Sequence, residues 1–437
     1  MSEYLHVEKP FLDQLATLGW KVIDHGLGVI PADPAVSLRT HFREWLLPEV
    51  FRQSVRALNP WLTDRQLDQL RDQLLRHPNR TLLEANEDVQ KLLFKAQVDV
   101  NETTGEPDPV VLLIDFRHPE RNVFHAINQF RIDTPGCVKV CIIPDIVLFV
   151  NGIPLVVIEA KIGDANTANP LHAAFVQLLR YRNGRAETAA AGLREGEPRL
   201  FYSNLLLIRT CGERAEFGTI TSGHEHFYAW KDIWPESRAT FTPPLGVIRE
   251  QERMIQGLLA PDTLLDVLRT CTVFMDTDSG RRVKVVCRYQ QYRAARRIIE
   301  RIRRGKTATE RSGVVWHTQG SGKSLTMVFV ARMMRFSEDL ADFKILLVND
   351  RVDLEEQLAA TARLIGGRVN VIASTADLRE HLRTDASDVN MVMVHKFMDR
   401  SQGNWAGGRG CCRQRQDSRG RCAWSCKHLR ENDVPFR

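Results

Sequence analysis

The chain has 437 residues, of which 43% are hydrophobic and 26% charged, and this composition excludes a disordered polyelectrolyte and a fibrous repeat. The formal net charge is +6, but residues 401–437 hold eight Lys and Arg against three acidic residues, so this tail accounts for +5 of it and bulk charge does not indicate a partner. No run approaches the roughly 18 apolar residues of a membrane span, and the N-terminus shows no secretion signal. We therefore expect a cytoplasmic protein without a membrane segment.

The first 236 residues predict one α/β domain that begins with a helical segment. Apolar residues recur at helical spacing from Phe11 to about Leu93. Short β-branched runs follow between Val110 and Val157. A helix is then predicted over residues 171–181, and a strand over 205–208.

Residues 237–285 predict a helical connector, and residues 286–400 predict a second α/β domain. In the second domain, strand signals at 314–316, 345–348 and 392–394 alternate with helices that begin at Lys323 and Asp353. Such alternation is typical of βαβ units and therefore of a parallel sheet.

Charged residues at the end of an apolar hairpin form the most informative pattern. Asp145 opens one predicted strand, and Glu159 and Lys161 end the next, beyond an Asn-Gly turn. Buried charges are costly unless a metal ion or a partner compensates them, and two carboxylates suit Mg²⁺. Lys161 could then orient the water that attacks a phosphodiester bond. The alternative is a simple ion pair of Glu159 and Lys161 at a sheet edge.

The register of this hairpin is a test of that idea. A regular two-residue turn at Asn151 and Gly152 places Asp145 opposite Ile158, which turns Glu159 to the other face of the sheet. A shared metal site therefore requires one extra residue. We predict a bulge at Gly152, in a three-residue turn, or another beside Pro154.

Gln177 and Tyr181 lie four residues apart on the predicted helix after the hairpin, so they share one face. They are candidates for positioning a DNA backbone near the metal. A plain surface helix is the alternative.

The segment His317–Ser324 resembles a phosphate-binding loop between a strand and a helix. Small residues at Gly320 and Gly322 let backbone N–H groups surround phosphate oxygens. Lys323 is placed to reach the β- and γ-phosphates of ATP, and Ser324 to hold the Mg²⁺ of Mg-ATP. The predicted nucleotide-binding residues, including a candidate adenine-reading glutamine upstream, are Gln291, Thr318, Gly320, Ser321, Gly322, Lys323 and Ser324.

Taken together, these residues resemble the motor and nuclease subunit of type I restriction enzymes over nearly all of residues 1–400. The matching segments are Asp145–Lys161 with Gln177 and Tyr181, Arg199–Asn204, Gly218–Ser222, Glu225–Lys231, Arg288–Gln291, His317–Ser324, Asn349–Leu354 and His395–Phe397.

The resemblance implies a PD-(D/E)xK restriction-endonuclease-like domain followed by an incomplete RecA-like P-loop helicase domain. It implies an enzyme that cuts double-stranded DNA with Mg²⁺, with Asp145, Glu159 and Lys161 at the metal site. It also implies an ATP-dependent motor and, as partners, methylation and specificity subunits, the latter carrying the target recognition. Glu8 is either an additional acid of the nuclease site or a surface residue.

The sequence departs from this family after Lys323, because no Asp-Glu pair follows to bind Mg²⁺ and orient the hydrolytic water. We expect a C-terminally truncated subunit in which ATP turnover is lost. A catalytically silent remnant that only binds ATP or DNA is the alternative function.

Residues 401–437 form a basic, cysteine-rich tail without the apolar residues of a core. We interpret it as non-native or disordered sequence. A zinc site is the alternative, and its candidate ligands are Cys411, Cys412, Cys422, Cys426 and His428.

Overall fold

The chain forms two compact units, Met1–Val286 and Cys287–Arg437. The computed structural model describes residues 2–163, 168–234, 249–277, 279–349, 363–365, 369–399 and 404–405. The predicted helix from Asp353 and the cysteine-rich tail, with its candidate zinc ligands Cys411, Cys412, Cys422, Cys426 and His428, lie outside the described residues, apart from the backbone of 404–405.

A mixed sheet of seven strands organises the first unit. The strands of this unit in chain order are β1 (Lys21–Ile23), β2 (Ala96–Gln97), β3 (Val110–Val111), β4 (Phe124–Asn128), β5 (Ile132–Asp133), β6 (Cys141–Ile142), β7 (Ile146–Val150), β8 (Ile153–Ala160), β9 (Leu206–Thr210), β10 (Ala215–Gly218), β11 (Tyr228–Ala229), β12 (Thr272–Asp276) and β13 (Arg282–Val286). The sheet has the order β1-β4-β7-β8-β9-β10-β11. Strands β1 and β4 are parallel, as are β8 and β9, and the other neighbours are antiparallel. Every residue of β7 and β8 is buried, as their continuous apolar runs predict.

Helices surround this sheet and confirm the helical spacing of the N-terminal segment. A π-helical turn (Tyr4–Glu8) leads into α1, and two later helices begin with capping boxes at Thr63 and Thr81. The helices of this unit are α1 (Lys9–Thr17), α2 (Pro48–Leu58), α3 (Asp64–Leu75), α4 (Leu82–Lys95), α5 (Pro170–Tyr181), α6 (Ala186–Ala190), α7 (Glu250–Gly257) and α8 (Pro261–Thr270).

The turn between β7 and β8 is buried. Asn151 and Gly152 both have positive φ, 51° and 78°, as a two-residue hairpin turn requires. The Asn151 side chain accepts from Val123 N and donates to Leu113 O, at 2.8 and 2.9 Å. A Cβ on Gly152 would lie 2.6 Å from Leu47 O, so only glycine fits there.

The extra residue of the hairpin lies beside Pro154. Val150 pairs with Ile153 and Phe149 with Pro154, but Leu148 pairs with Val156, so Leu155 is unpaired across the hairpin. The prediction of a three-residue turn with a bulge at Gly152 is therefore wrong, because Asn-Gly closes the turn in two residues. The alternative prediction, a bulge beside Pro154, is confirmed.

The helices α7 and α8, from the segment predicted as a connector, pack within the first unit. Trp20 Nε1 donates to Leu259 O at 3.0 Å, and Thr210 Oγ1 donates to Gln251 Oε1 at 2.7 Å. Leu264 and Leu268 of α8 are buried. The unit is therefore completed by residues beyond 249.

A buried lysine fastens β13 to the rest of the first unit. Lys284 Nζ donates to Asn86 Oδ1 at 2.8 Å and to Asn204 O at 2.7 Å. The Lys284 backbone carbonyl accepts from Thr219 Oγ1 at 2.9 Å. Burial lowers the pKa of Lys284 to about 7, so the amine sits in this polar junction as a weakly basic group.

In the described part of the second unit, three strands form a parallel sheet with helices against it, as the alternating pattern predicts. Its core includes Val328, Leu347 and Met391. Its elements are α9 (Tyr289–Arg304), α10 (Ala308–Arg311), α11 (Lys323–Phe336), β14 (Ile345–Asn349), β15 (Val369–Val371), α12 (Thr375–Arg383), β16 (Val389–Met393), β17 (Met398–Asp399) and β18 (Asn404–Trp405). The order of the three-stranded sheet is β14-β16-β15.

Residues 314–316 do not form the predicted strand, so this prediction is wrong. Val314 and Trp316 are 83% and 89% exposed, and neither belongs to a strand. An apolar run becomes a strand only where a neighbouring strand pairs with it, and β16 pairs with β14 and β15 instead. Within the described residues, no helix is long and apolar enough to cross a membrane.

Candidate active site

The Leu155 bulge sets which residues face each other at the open end of the β7–β8 hairpin. Ile146 pairs with Ile158, so the next residues outward, Asp145 and Glu159, stand opposite each other. Asp145 Oδ2 accepts a hydrogen bond from Ala160 N at 2.8 Å, which ties this carboxylate to the end of β8.

The Lys161 side chain joins the two acids. Its ammonium lies 2.8 Å from Glu159 Oε1 and 3.4 Å from Asp145 Oδ2, and it donates to Ala160 O at 2.6 Å. The three residues predicted from the sequence therefore meet at one point. The alternative, an isolated ion pair of Glu159 and Lys161 at a sheet edge, does not describe this arrangement, because the Lys161 ammonium also contacts Asp145.

Two acids of the N-terminal segment complete this cluster. Oxygen atoms of Glu3, Glu8 and Asp145 all lie within 4.8 Å of one another, a spacing that a metal ion can bridge. Glu8 is only 3% exposed and accepts from Gln129 Nε2 at 3.2 Å, so the interpretation of Glu8 as a surface residue is wrong. Glu3 was missed by the sequence reasoning, since no pattern near residue 3 indicates a contact with residues 145–161.

Burial dominates the electrostatics of the cluster. It raises the pKa of Asp145 to about 6, against the opposing effect of Lys161. Burial, and then the Asp145 charge, raises the pKa of Glu8 to about 7 and that of Glu159 well above its usual value. Burial alone would lower the pKa of Lys161, but Glu159 and Asp145 outweigh it and raise this pKa. One lysine therefore does not neutralise the acids around it.

The donor set fits a divalent cation. Carboxylate oxygens are the ligands that Mg²⁺ and similar hard cations prefer. Glu159 Oε2 is buried without a hydrogen-bond partner among the described residues, which is costly for a carboxylate unless a cation compensates it. Asp145 and Glu159 could hold such an ion, with Glu8 beside them.

The helix α5 brings Gln177 and Tyr181 to the same region. Gln177 Nε2 donates to Tyr181 Oη at 3.0 Å, and Tyr181 Oη donates to Ile143 O at 2.9 Å. Burial, followed by the nearby Glu159 and Asp145 charges, raises the pKa of Tyr181 well above its usual value. Tyr181 is thus buried near Glu159 and Asp145, while Gln177 is half-buried.

In the second unit, the phosphate-loop residues form a turn before α11. Gly320 and Gly322 have φ of 74° and 79°, and Lys323 and Ser324 begin the helix. Lys323 Nζ donates to Thr318 O at 3.1 Å, and Ser321 Oγ donates to the same carbonyl at 2.7 Å. This arrangement keeps the loop folded on itself.

Gln291 reaches this loop from the first turn of α9. Its Nε2 donates to Ser321 O at 3.2 Å and to Gly322 O at 3.1 Å. A Cβ at residue 322 would lie 2.5 Å from this nitrogen, so the contact requires glycine. The structure therefore brings the predicted nucleotide-binding residues together in one place.

Comparison with protein families covers both units. Residues 1–237 match the family described as the type I restriction enzyme R protein N terminus. The chain belongs to this family. Residues 290–420 match the SWI2/SNF2 ATPase family. The acid cluster and the phosphate loop lie within these two matching regions respectively.

Curated relatives of this chain are endonuclease subunits by name. The type I restriction enzyme HindI endonuclease subunit of Haemophilus influenzae is 30% identical over 81% of this chain and 32% of its own length. The putative type I restriction enzyme MjaIXP endonuclease subunit of Methanocaldococcus jannaschii is 23% identical over 92% of this chain and 38% of its own length. The chain thus spans about a third of the length of these relatives.

Proposed function

We propose that the first unit hydrolyses phosphodiester bonds of double-stranded DNA with Mg²⁺, through a PD-(D/E)xK site made of Asp145, Glu159 and Lys161. The observation that supports this proposal most directly is the single Lys161 ammonium in contact with both acids, which face each other only because of the Leu155 bulge. A lysine that served only to neutralise one glutamate would not require that register.

The proposed chemistry assigns a task to each side chain. Asp145 and Glu159 would hold Mg²⁺, which supplies Lewis acidity and a more acidic bound water. Lys161 would donate hydrogen bonds to the attacking water and to the negative charge that develops on the phosphate. The water gives up a proton to solvent as its oxygen bonds to phosphorus and one P–O ester bond breaks. The leaving oxygen takes up a proton from solvent, so the products are a phosphate end and a hydroxyl end. Gln177 would hold the DNA backbone, with Tyr181 fixing its orientation.

The proposal for the second unit is binding of Mg-ATP at the loop of residues 317–324. Lys323 would pair with the phosphates, Ser324 would bind the Mg²⁺ of the nucleotide, and Gln291 would read the adenine. The folded loop with its left-handed glycines supports this assignment. Turnover by these 437 residues is not expected, since no Asp-Glu pair follows Lys323.

The proposed setting is a type I restriction complex. The relatives are named as endonuclease subunits, and such a subunit works alongside others. We therefore propose methylation and specificity subunits as the partners of this chain, with target recognition in the specificity subunit.

The decisive experiment is nicking of supercoiled plasmid by the chain in Mg²⁺. Asp145→Asn should slow nicking at least about a hundredfold, because one metal-holding oxygen is replaced by an amide. Asp99→Asn, at an exposed residue of the same unit, is the matched control and should nick like the original chain. Equal rates for Asp145→Asn and the original chain would remove the nuclease assignment and favour a silent remnant.

A further inference from the structure

Glu3 contacts the two residues that follow β8, Lys161 and Ile162, with its two carboxylate oxygens. Glu3 Oε1 lies 3.3 Å from Lys161 Nζ, and Glu3 Oε2 accepts from Ile162 N at 3.2 Å. The π-helical turn Tyr4–Glu8 follows directly and carries Glu8 on the same segment. A residue far away in the sequence thus grips two consecutive residues at the proposed nuclease site.

These contacts separate Glu3 from the other acids of the cluster. Glu159 Oε2 is buried without a hydrogen-bond partner among the described residues, whereas both oxygens of Glu3 are engaged. Glu8 is nearly fully buried beside Gln129, but the Glu3 side chain is 31% exposed. These features fit a role of Glu3 in orienting Lys161 better than they fit a role as a metal ligand.

We propose that Glu3 is a positioning residue that holds the Lys161 ammonium beside Asp145 and Glu159. This inference rests on the proposed nuclease function. A lysine side chain has four rotatable bonds and settles in one place only when several acceptors hold it. If Asp145 and Glu159 share their charge with a cation, their attraction for the ammonium weakens. Glu3 then remains as the carboxylate partner that keeps Lys161 in place.

The first measurement follows Lys161 itself in the full 437-residue chain. Acetylation by acetic anhydride is timed by peptide mass spectrometry and normalised to Lys91, whose side chain is 67% exposed. Glu3→Gln should raise the Lys161 rate about two- to fivefold, the factor that corresponds to one partly exposed ion pair. Saturating Mg²⁺ should enlarge this difference, and Glu3→Asp should restore part of the protection.

Glu120→Gln is the matched control, since that glutamate side chain is 72% exposed and contacts His118. It should leave the acetylation rate of Lys161 unchanged. Equal melting temperatures of the variants show that Glu3→Gln acts on the lysine and not on folding. An unchanged Lys161 rate in Glu3→Gln would overturn the proposal.

The second measurement separates positioning from metal binding. Calorimetric titration with Mn²⁺ should give Glu3→Gln an affinity within about threefold of the original chain, whereas Asp145→Asn should lose more than about tenfold. A loss in Glu3→Gln as large as in Asp145→Asn would make Glu3 a ligand and overturn the positioning role. If the original chain does not nick plasmid, the nuclease assignment fails, but the Lys161 acetylation rate still decides the role of Glu3.

Discussion

The two units place their candidate sites on very different supports. In the first unit, Asp145, Glu159 and Lys161 stand at the end of two strands in the middle of a seven-stranded sheet. In the second, the loop before α11 follows the exposed residues 314–316, and the sheet that the described residues form has three strands. The register of a sheet thus positions the side chains of one candidate site, whereas hydrogen bonds within a turn position those of the other.

The two sites also differ in how far apart in the sequence their contributing residues lie. The acid cluster draws on residues from 3 to 181 and depends on one unpaired residue in β8. The phosphate loop draws on Gln291 and on hydrogen bonds within residues 318–323. Perturbing register should therefore damage only the first site, and perturbing the loop only the second.

Deleting Leu155 together with Val157 should have the largest effect, namely loss of nicking to background. Without Leu155 alone, regular pairing still places Asp145 opposite Glu159. The loss of a second residue places Asp145 opposite Ala160 and turns the Glu159 side chain to the other face of the sheet. Leu155→Ala keeps the register and is the control, which should still nick although the chain is less stable. A double-deletion variant with a native-like circular dichroism spectrum that still nicks would show that the strand register does not align the acids.

Gly152→Ala should destabilise the first unit by about 2–4 kcal/mol, because the residue has left-handed φ and the new Cβ would approach backbone atoms of α2. Gly136→Ala is the control, since that glycine has φ of 80° but nothing within 4 Å of the added Cβ. It should cost only about 1–2 kcal/mol. Urea unfolding measures both, and equal losses would mean that the turn is not tightly enclosed.

Lys323→Ala should weaken nucleotide binding about 10- to 100-fold, the loss expected when a charged hydrogen bond to phosphate is removed. Lys306→Ala, at an exposed lysine of the same unit, should bind normally. Fluorescence titration with a labelled ATP gives both affinities. Plasmid nicking in the absence of ATP should be unaffected by either change, and a loss of nicking in Lys323→Ala would break the separation between the two sites.

The smallest expected effect is the pH dependence that the buried Lys284 gives to the free energy of unfolding. Its folded pKa of about 7 lies below the value of about 10.4 in an unfolded chain, so between these values the unfolded chain binds a proton that the folded chain does not. The free energy of unfolding contributed by this residue therefore rises with pH across that range. Urea unfolding should show that the free energy of unfolding of the original chain, relative to that of Lys284→Met, increases by about 1–2 kcal/mol between pH 7.5 and 9. A pH-independent difference would show that Lys284 stays charged when folded.

The sequence predicted the parts of the site that depend on local pattern. Apolar runs bounded by charges located β7, β8 and α5, and the register argument showed that one extra residue was needed. The choice between Gly152 and Pro154 stayed open, because it depends on which turn the buried Asn151 adopts. Glu3 could not be found, since only tertiary folding brings it to Lys161.

The same limit explains the failure at residues 314–316. An alternation of strand and helix signals predicts which segments are able to form strands, but the pairing of strands is decided by the whole unit. In the described residues, β16 lies between β14 and β15, and residues 314–316 join none of them. Local pattern was thus sufficient for the helix from Lys323 but not for the segment before it.

The enclosed Asn151–Gly152 turn has a practical consequence for protein engineering. Hairpin tips are usually tolerant places for affinity tags, fluorophores or domain insertions, because they project into solvent. Here the tip is anchored through the Asn151 amide and seated against the start of α2. Cargo attached at that position would have to displace interior residues, so labels for this chain belong on exposed loops such as residues 102–106.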